Sequence, residues 1–213
     1  TGTVVQATES LVILGGDADV DTFIVKTRGN LNNQRAIQTA MKVKANAYKF
    51  QDAFFNGDVV VDPKGFDGLK KRLVGAQVLD AATNGMGPVT AGHDFFDVLD
   101  AAIAAVPGVN GQNGAIYANS AIIAKVKSSA RRLGGVEMIR EALTQKMIAT
   151  YNGIPLLDAG QTAAGVDVIP RTETQGTASG IASSMYVVKF GQDEGDRGVT
   201  GLTNGGVDVR DLG

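Results

Sequence analysis

Three aspartates at alternate positions, Asp17, Asp19 and Asp21 in GGDADVD, have the spacing with which a calcium-binding loop begins. They are the sharpest candidates for metal chemistry in the chain. The rest of that pattern fails, because its sixth position is Thr22 instead of glycine and its twelfth is Arg28 instead of glutamate. A solvated turn between strands is the simpler reading. The rival is a small metal-binding α+β domain, an enzyme or ligand binder using these carboxylates with a divalent ion. The acidic loop QDEGDRG, with Asp193, Glu194 and Asp196, reads the same way as the first cluster.

His93 is the only histidine, so any triad or metal cluster would have to use it. In TAGHDFF it sits at the start of a helical segment, where a polar residue is ordinary. No GxSxG nucleophile elbow occurs. Cysteine is absent, which removes disulfides, zinc–thiolate sites, iron–sulfur clusters and thiol nucleophiles together. The 28 glycines form neither GxGxxG nor GxxxxGK[ST], and so they read as turn glycines. Lys70, Lys71 and Arg72 could touch phosphate, but three cations on one turn more often form a solvated face. No catalytic, cofactor-binding or metal residue is assigned, no cofactor is expected, and the chain is not expected to be an enzyme.

The elements that would have to position such groups support this reading. The chain has 213 residues, 44% of them hydrophobic, enough for one sizeable domain or two small ones. A formal charge of -2 gives no general basic field for nucleic acid. The longest apolar runs, such as AAIAAV at 101–106, fall far below the roughly 18 to 20 residues that cross a bilayer, so no membrane partner is expected. Beginning at Thr1, the sequence reads as a processed or trimmed form.

Residues 1–29 read as strands, because VVQ, LVIL and TFIVKT are rich in β-branched residues. From about Asn32 to Phe55 there is no proline or glycine, which predicts a helix roughly 35 Å long. On a helical wheel its apolar residues fill a very wide arc, from Ile37 and Met41 to Val43, Phe50 and Phe55, which predicts a helix covered on most sides. Arg35, Lys42, Asn46 and Lys49 share a narrow polar arc. Asn56-Gly57 is expected to close the helix in the left-handed conformation.

A second helix is expected over 94–106, stopped by Pro107-Gly108, followed by a loop and a short strand at GAIYA. Asn119 and Ser120 can cap a third helix through AIIAKVKSSARR, and a fourth, shorter helix is expected over 136–143. Asn152-Gly153 signals a hairpin, and VDVIP, MYVVKF and VDVRD read as further strands.

The ordered series FFNGD, GFDGL, IYANSAIIAKVKSSAR, TYNGIPLLDAG, MYVVKFG and GVTGLTNGGVDVRDLG resembles the major capsid proteins of tailed bacteriophages, the Hong Kong 97-type capsid fold, over nearly the whole chain. The resemblance implies an α+β fold: a long spine helix beside a β-sheet in a peripheral domain, and a mixed α/β axial domain. FFNGDVVVDPKGFDGL would then join the spine helix to the axial domain, with Gly57 and Gly68 permitting sharp turns and Phe66 and Leu69 anchoring the connection.

It also implies domain limits. Residues 1–31 would be the return from an extended loop plus a peripheral strand, 32–87 the peripheral domain with the spine, 88–200 the axial domain, and 201–213 the return toward the periphery.

The function implied is a structural subunit of an icosahedral viral shell, self-assembling into pentamers and hexamers around double-stranded DNA. Its place would be the virion, assembled in the cytoplasm of a bacterial host. A scaffold protein, a maturation protease and non-specific contact with packaged DNA are further partners the family implies. Arg35, Lys42 and Lys49 are the candidates to face DNA or a neighbouring subunit. The loops at 108–114 and 160–165 are the candidates to surround the five-fold and six-fold axes. An encapsulin, a bacterial shell that encloses an enzyme cargo, is the alternative within the same fold. Family members carry an N-terminal arm and most of an extended loop before this start, and further strands after the final DLG. The chain by itself is therefore expected not to close a complete shell.

Overall fold

In a computed structural model, residues 8–28, 33–81, 86–87, 90–133, 137–140, 147–192 and 197–205 are described. Residues 8–21 run over the surface without regular secondary structure, and α1 (Thr22–Arg28) follows. That helix replaces the strand expected at TFIVKT. Asp21 decides the matter locally: its Oδ1 accepts from the Phe23 N–H at 2.7 Å and its carbonyl from the Val25 N–H at 3.1 Å. The Thr27 hydroxyl adds a bond to the Phe23 carbonyl. Capping has outweighed the modest strand preference of Ile24 and Val25.

The long helix is present as α2 (Gln34–Asn56), started by Asn33, whose side chain accepts from the Ala36 N–H at 3.2 Å. It ends at Gly57, but in an extended geometry (φ -54°, ψ 138°) and not the left-handed one. A short α3 (Leu69–Arg72) and a single 3-10 turn at Gly75–Gln77 come next. Then α4 (His93–Ala104), β1 (Gly114–Ala118) and α5 (Ser120–Leu133) follow where the sequence places them. Asn119 caps α5, its Oδ1 accepting from the Ile122 N–H at 2.9 Å.

Two expectations fail beyond this point. In place of a fourth helix, Glu137–Arg140 is a strand, β2, paired antiparallel with β3 (Met147–Tyr151). VDVIP is not a strand either. Only Asp167 bridges, to Gln161, while Val168 and Ile169 turn inward and are almost wholly buried. The Asn152-Gly153 hairpin is present, with φ of 50° and 75° at the two turn residues, joining β3 to β4 (Ile154–Asp158). A hairpin absent from the sequence reading, β5 (Glu173–Gln175) with β6 (Ala178–Ala182), precedes β7 (Tyr186–Lys189). The strand expected at VDVRD lies outside the described residues.

The main sheet has the order β2-β3-β4-β1-β7, with β1 and β4 parallel and the other pairs antiparallel. Alternation along β1 divides the core in two. Ile116 and Ala118 face a cluster containing Phe95 and Leu99 of α4 and Ile123 and Val126 of α5. Tyr117 faces the other cluster, built from Phe55 at the end of α2, Leu69 of α3, Val168, Ile169, Tyr186 and Val188. Helices α4 and α5 thus cover one face of the sheet, and the end of α2 docks on the other. Among the described residues no helix is long and apolar enough to cross a membrane.

Candidate functional site

The groups singled out for chemistry do not converge. Asp17, Asp19 and Asp21 lie on the exposed surface segment, and Asp21 is occupied in capping α1. His93 is the exposed first residue of α4. Among the described residues no three of the His, Asp and Glu side chains gather where they could hold a metal ion. Asp193, Glu194 and Asp196 lie outside the described residues.

The basic cluster on α3 is committed to carboxylates of its own chain. Lys70 reaches Glu173 of β5 at 2.9 Å, Lys71 reaches Asp58 at 3.0 Å, and Arg72 forks onto both oxygens of Glu9 at 2.7 and 3.0 Å. Hydrogen bonding from Lys71 and from the Val60 N–H holds the Asp58 carboxyl below its usual range, and the Arg72 guanidinium does the same for Glu9. This cluster fastens the 8–21 segment, the turn after α2 and the β5–β6 hairpin around one short helix.

On α2, Lys49 lies 3.8 Å from Asp62, and the Lys42 side chain passes so close to Gly16 that a Cβ there would collide with it. The polar arc is therefore partly occupied by the chain's own turns.

The two loops proposed for the symmetry axes are at opposite ends of the lobe. Residues 108–114 lead into β1, whereas 160–165 follow β4, which is parallel to it. Loop 160–165 is on the α2 side, where the Gln51 side chain donates to the carbonyl of Ala159. Loop 108–114 lies against the Asn152-Gly153 turn, so tightly that a Cβ on Gly111 would strike the Gly153 carbonyl. It is braced internally, with the Asn110 N–H donating to Asn113 Oδ1 and Asn113 Nδ2 to the Gly108 carbonyl. Beside it, Phe96 of α4 stacks on Tyr151 at 5.4 Å, and a shallow open depression lies between Asp100, Ile103 and Asn152. Burial, and then a hydrogen bond to Asp100, push the Tyr151 hydroxyl pKa up, which keeps it protonated.

Several large apolar side chains of α2 and of the 8–21 segment are exposed. The sequence predicts α2 to be covered on most sides, but only Phe55 is buried along its length. Met41 is 60% exposed, Phe50 51%, and Ile37 and Val43 are exposed as well. The crossing segment adds Leu11, Val12, Leu14 and Ile13, the last of them 96% exposed. The wheel reads the apolar arc correctly. It does not say what covers that arc, and among the described residues α2 meets α1, α3, the 8–21 segment at Lys42 and the turn after α2 at Lys49, and still leaves these apolar side chains exposed.

No protein-family model and no curated protein sequence matches the chain. Among solved structures, it is similar to the SrpI encapsulin of Synechococcus elongatus PCC 7942, determined by cryo-electron microscopy as the holo complex, with a TM-score of 0.64 and 18% identity. The fold is that of a Hong Kong 97-type shell protein. The likeness covers 90% of this chain and 56% of the encapsulin, so the chain spans little more than half of that shell protein. A long helix docked by its last turns on a mixed α/β lobe is the α+β arrangement that the capsid resemblance implies.

Proposed function

We propose that this chain is part of a structural subunit that builds a closed protein shell, by repeated association with copies of itself and without an active site. A fold alone does not fix a function. The observation that carries the reading is the uncovered apolar surface of α2 and residues 11–14, because exposed apolar surface on this scale marks a contact surface. In a closed shell, heterologous contacts between identical copies would cover it.

Within that reading, the order of sequence motifs favours the major capsid protein of a tailed bacteriophage, forming pentamers and hexamers around double-stranded DNA in the virion. Residues 32–87 would serve as the peripheral domain and 88–200 as the axial domain. A scaffold protein and a maturation protease would act during assembly in the bacterial cytoplasm. Lys42 and Lys49 would face packaged DNA or a neighbour. Of the two candidate loops, 108–114 suits the symmetry axes better than 160–165, since it lies with the Asn152-Gly153 turn at the end of the lobe away from α2.

An encapsulin-type compartment is the second reading, supported by the similarity to the cyanobacterial shell protein. Particles purified from cells expressing the complete gene, treated with nuclease and then analysed for contents, separate the two. Protected double-stranded DNA of a uniform length supports the capsid, and a protein cargo without DNA supports the compartment. A protein that stays monomeric by light scattering at high concentration contradicts both.

A further inference from the structure

Helices α4 and α5 lie on the same face of the sheet, and their outward sides carry opposite charge. On α4, Asp94, Asp97 and Asp100 recur every third residue on the exposed side, and the helix contains no lysine or arginine. On α5, Lys125 and Arg132, two turns apart, share one exposed stripe, Lys127 and Arg131 lie on the other flank of the outward side, and the helix contains no acid. The acidic row spans about 9 Å of helix and the basic row about 10 Å, so the two match in length. Among the described residues none of these seven groups has an ion-pair partner, although elsewhere Lys70, Lys71, Arg72 and Arg171 all do. Asp100 is engaged only by the Tyr151 hydroxyl. Both inner sides are used up in the core, through Phe95 and Leu99, and through Ile123 and Val126.

We infer that the α4 row of one copy docks on the α5 row of the next copy around a ring. The inference rests on the shell reading and deepens it by naming two of the surfaces. Among the described residues the two sets of charges form no ion pair with each other within one copy. Between copies they form a head-to-tail contact, which makes a ring where its rotation closes and an open filament where it does not. Complementary rows also fix register and suppress like-to-like encounters. The occupant is a second copy because the complement of each row is present, at matching length, on the same chain.

The experiment uses two variants of the full chain, D94K/D97K and K125E/R132E, followed by sedimentation velocity at about 0.1 M salt. The substituted side chains are exposed and unpaired, and circular dichroism checks that both variants fold. Each variant alone is expected to associate at least about tenfold more weakly than the parent, because like-charged rows now meet. Mixing the two variants is expected to restore association, since each supplies the row the other needs. Raising the salt to about 1 M should weaken the parent and erase the differences.

The inference is overturned if the parent associates and both variants associate equally well, or if mixing restores nothing. It is also overturned if K125E/R132E loses only DNA binding, which would assign the basic row to nucleic acid. In each of these cases the shell reading stands. A parent that does not associate at any concentration overturns both.

Discussion

The Gly68 N–H donates to the carbonyl of Gly57 at 2.8 Å, and neither residue has room for a side chain. A Cβ on Gly57 would run into the carbonyls of Phe66 and Ala53, and one on Gly68 into the Ala53 carbonyl and the Gly57 nitrogen. The chain leaves α2, makes the exposed excursion VVVDPK, and returns to the point it left. Both glycines have negative φ, so close backbone approach and not left-handed geometry requires them. Gly57→Ala and Gly68→Ala should each cost about 1–3 kcal/mol, seen as a lower denaturation midpoint at unchanged slope. Wild-type stability in either variant would show that the two strands of this loop are not in contact.

Phe55 is the plug that this closure holds in place. Its ring meets Tyr117 at 5.4 Å and Tyr186 at 5.5 Å and is 3% exposed. Phe55→Ala should cost about 3–5 kcal/mol and lower the melting temperature by roughly 10 °C. A fall of only a degree or two would mean that α2 does not dock on the lobe through this ring.

The Glu9–Arg72 and Asp58–Lys71 pairs give the clasp around α3 a pH dependence. Both carboxyls titrate below their ordinary range in the folded chain. Their contribution is therefore complete above the unfolded values near pH 4 and is lost as pH falls through the depressed folded values. Since the chain lacks cysteine, Ile13→Cys offers a unique site for a spin label on the fastened segment. Its mobility should rise as pH drops from about 6 to 3, and at neutral pH in Arg72→Gln. Unchanged spectra under both conditions would leave the 8–21 segment held by something else.

Substitution on the open face of α2 should separate folding from association. Ile37→Glu with Met41→Glu alters two exposed side chains, so the melting temperature should stay within the shift of about 0.5 kcal/mol expected at surface sites. Particle formation should be lost, because two carboxylates would then be buried without partners in the contact. Normal particles from the double variant would move the contact away from this face.

Much of this fold is legible in the residues wherever a local signal marks an element's end. Asn56-Gly57 ends α2, Asn119 caps α5, and Asn152-Gly153 sets the hairpin. The reading fails where the decision is made elsewhere. TFIVKT has strand-forming residues but follows Asp21, which turns it into a helix. At 137–140 the pairing with β3 overrides a helical pattern, and at VDVIP the burial of Val168 and Ile169 between α2 and the sheet takes the place of a ladder. The charged rows of α4 and α5 were open to inspection as stretches with one sign only. Their exposure and common sheet face were not, since these depend on which sides the core uses.

Cryo-electron microscopy of particles assembled from the complete gene product tests the central claim most directly. The account predicts closed shells in which the Ile37–Met41 side of α2 lies against a neighbouring copy and is no longer open to solvent. A dispersed monomer, or a shell in which that face still meets bulk water, would contradict it.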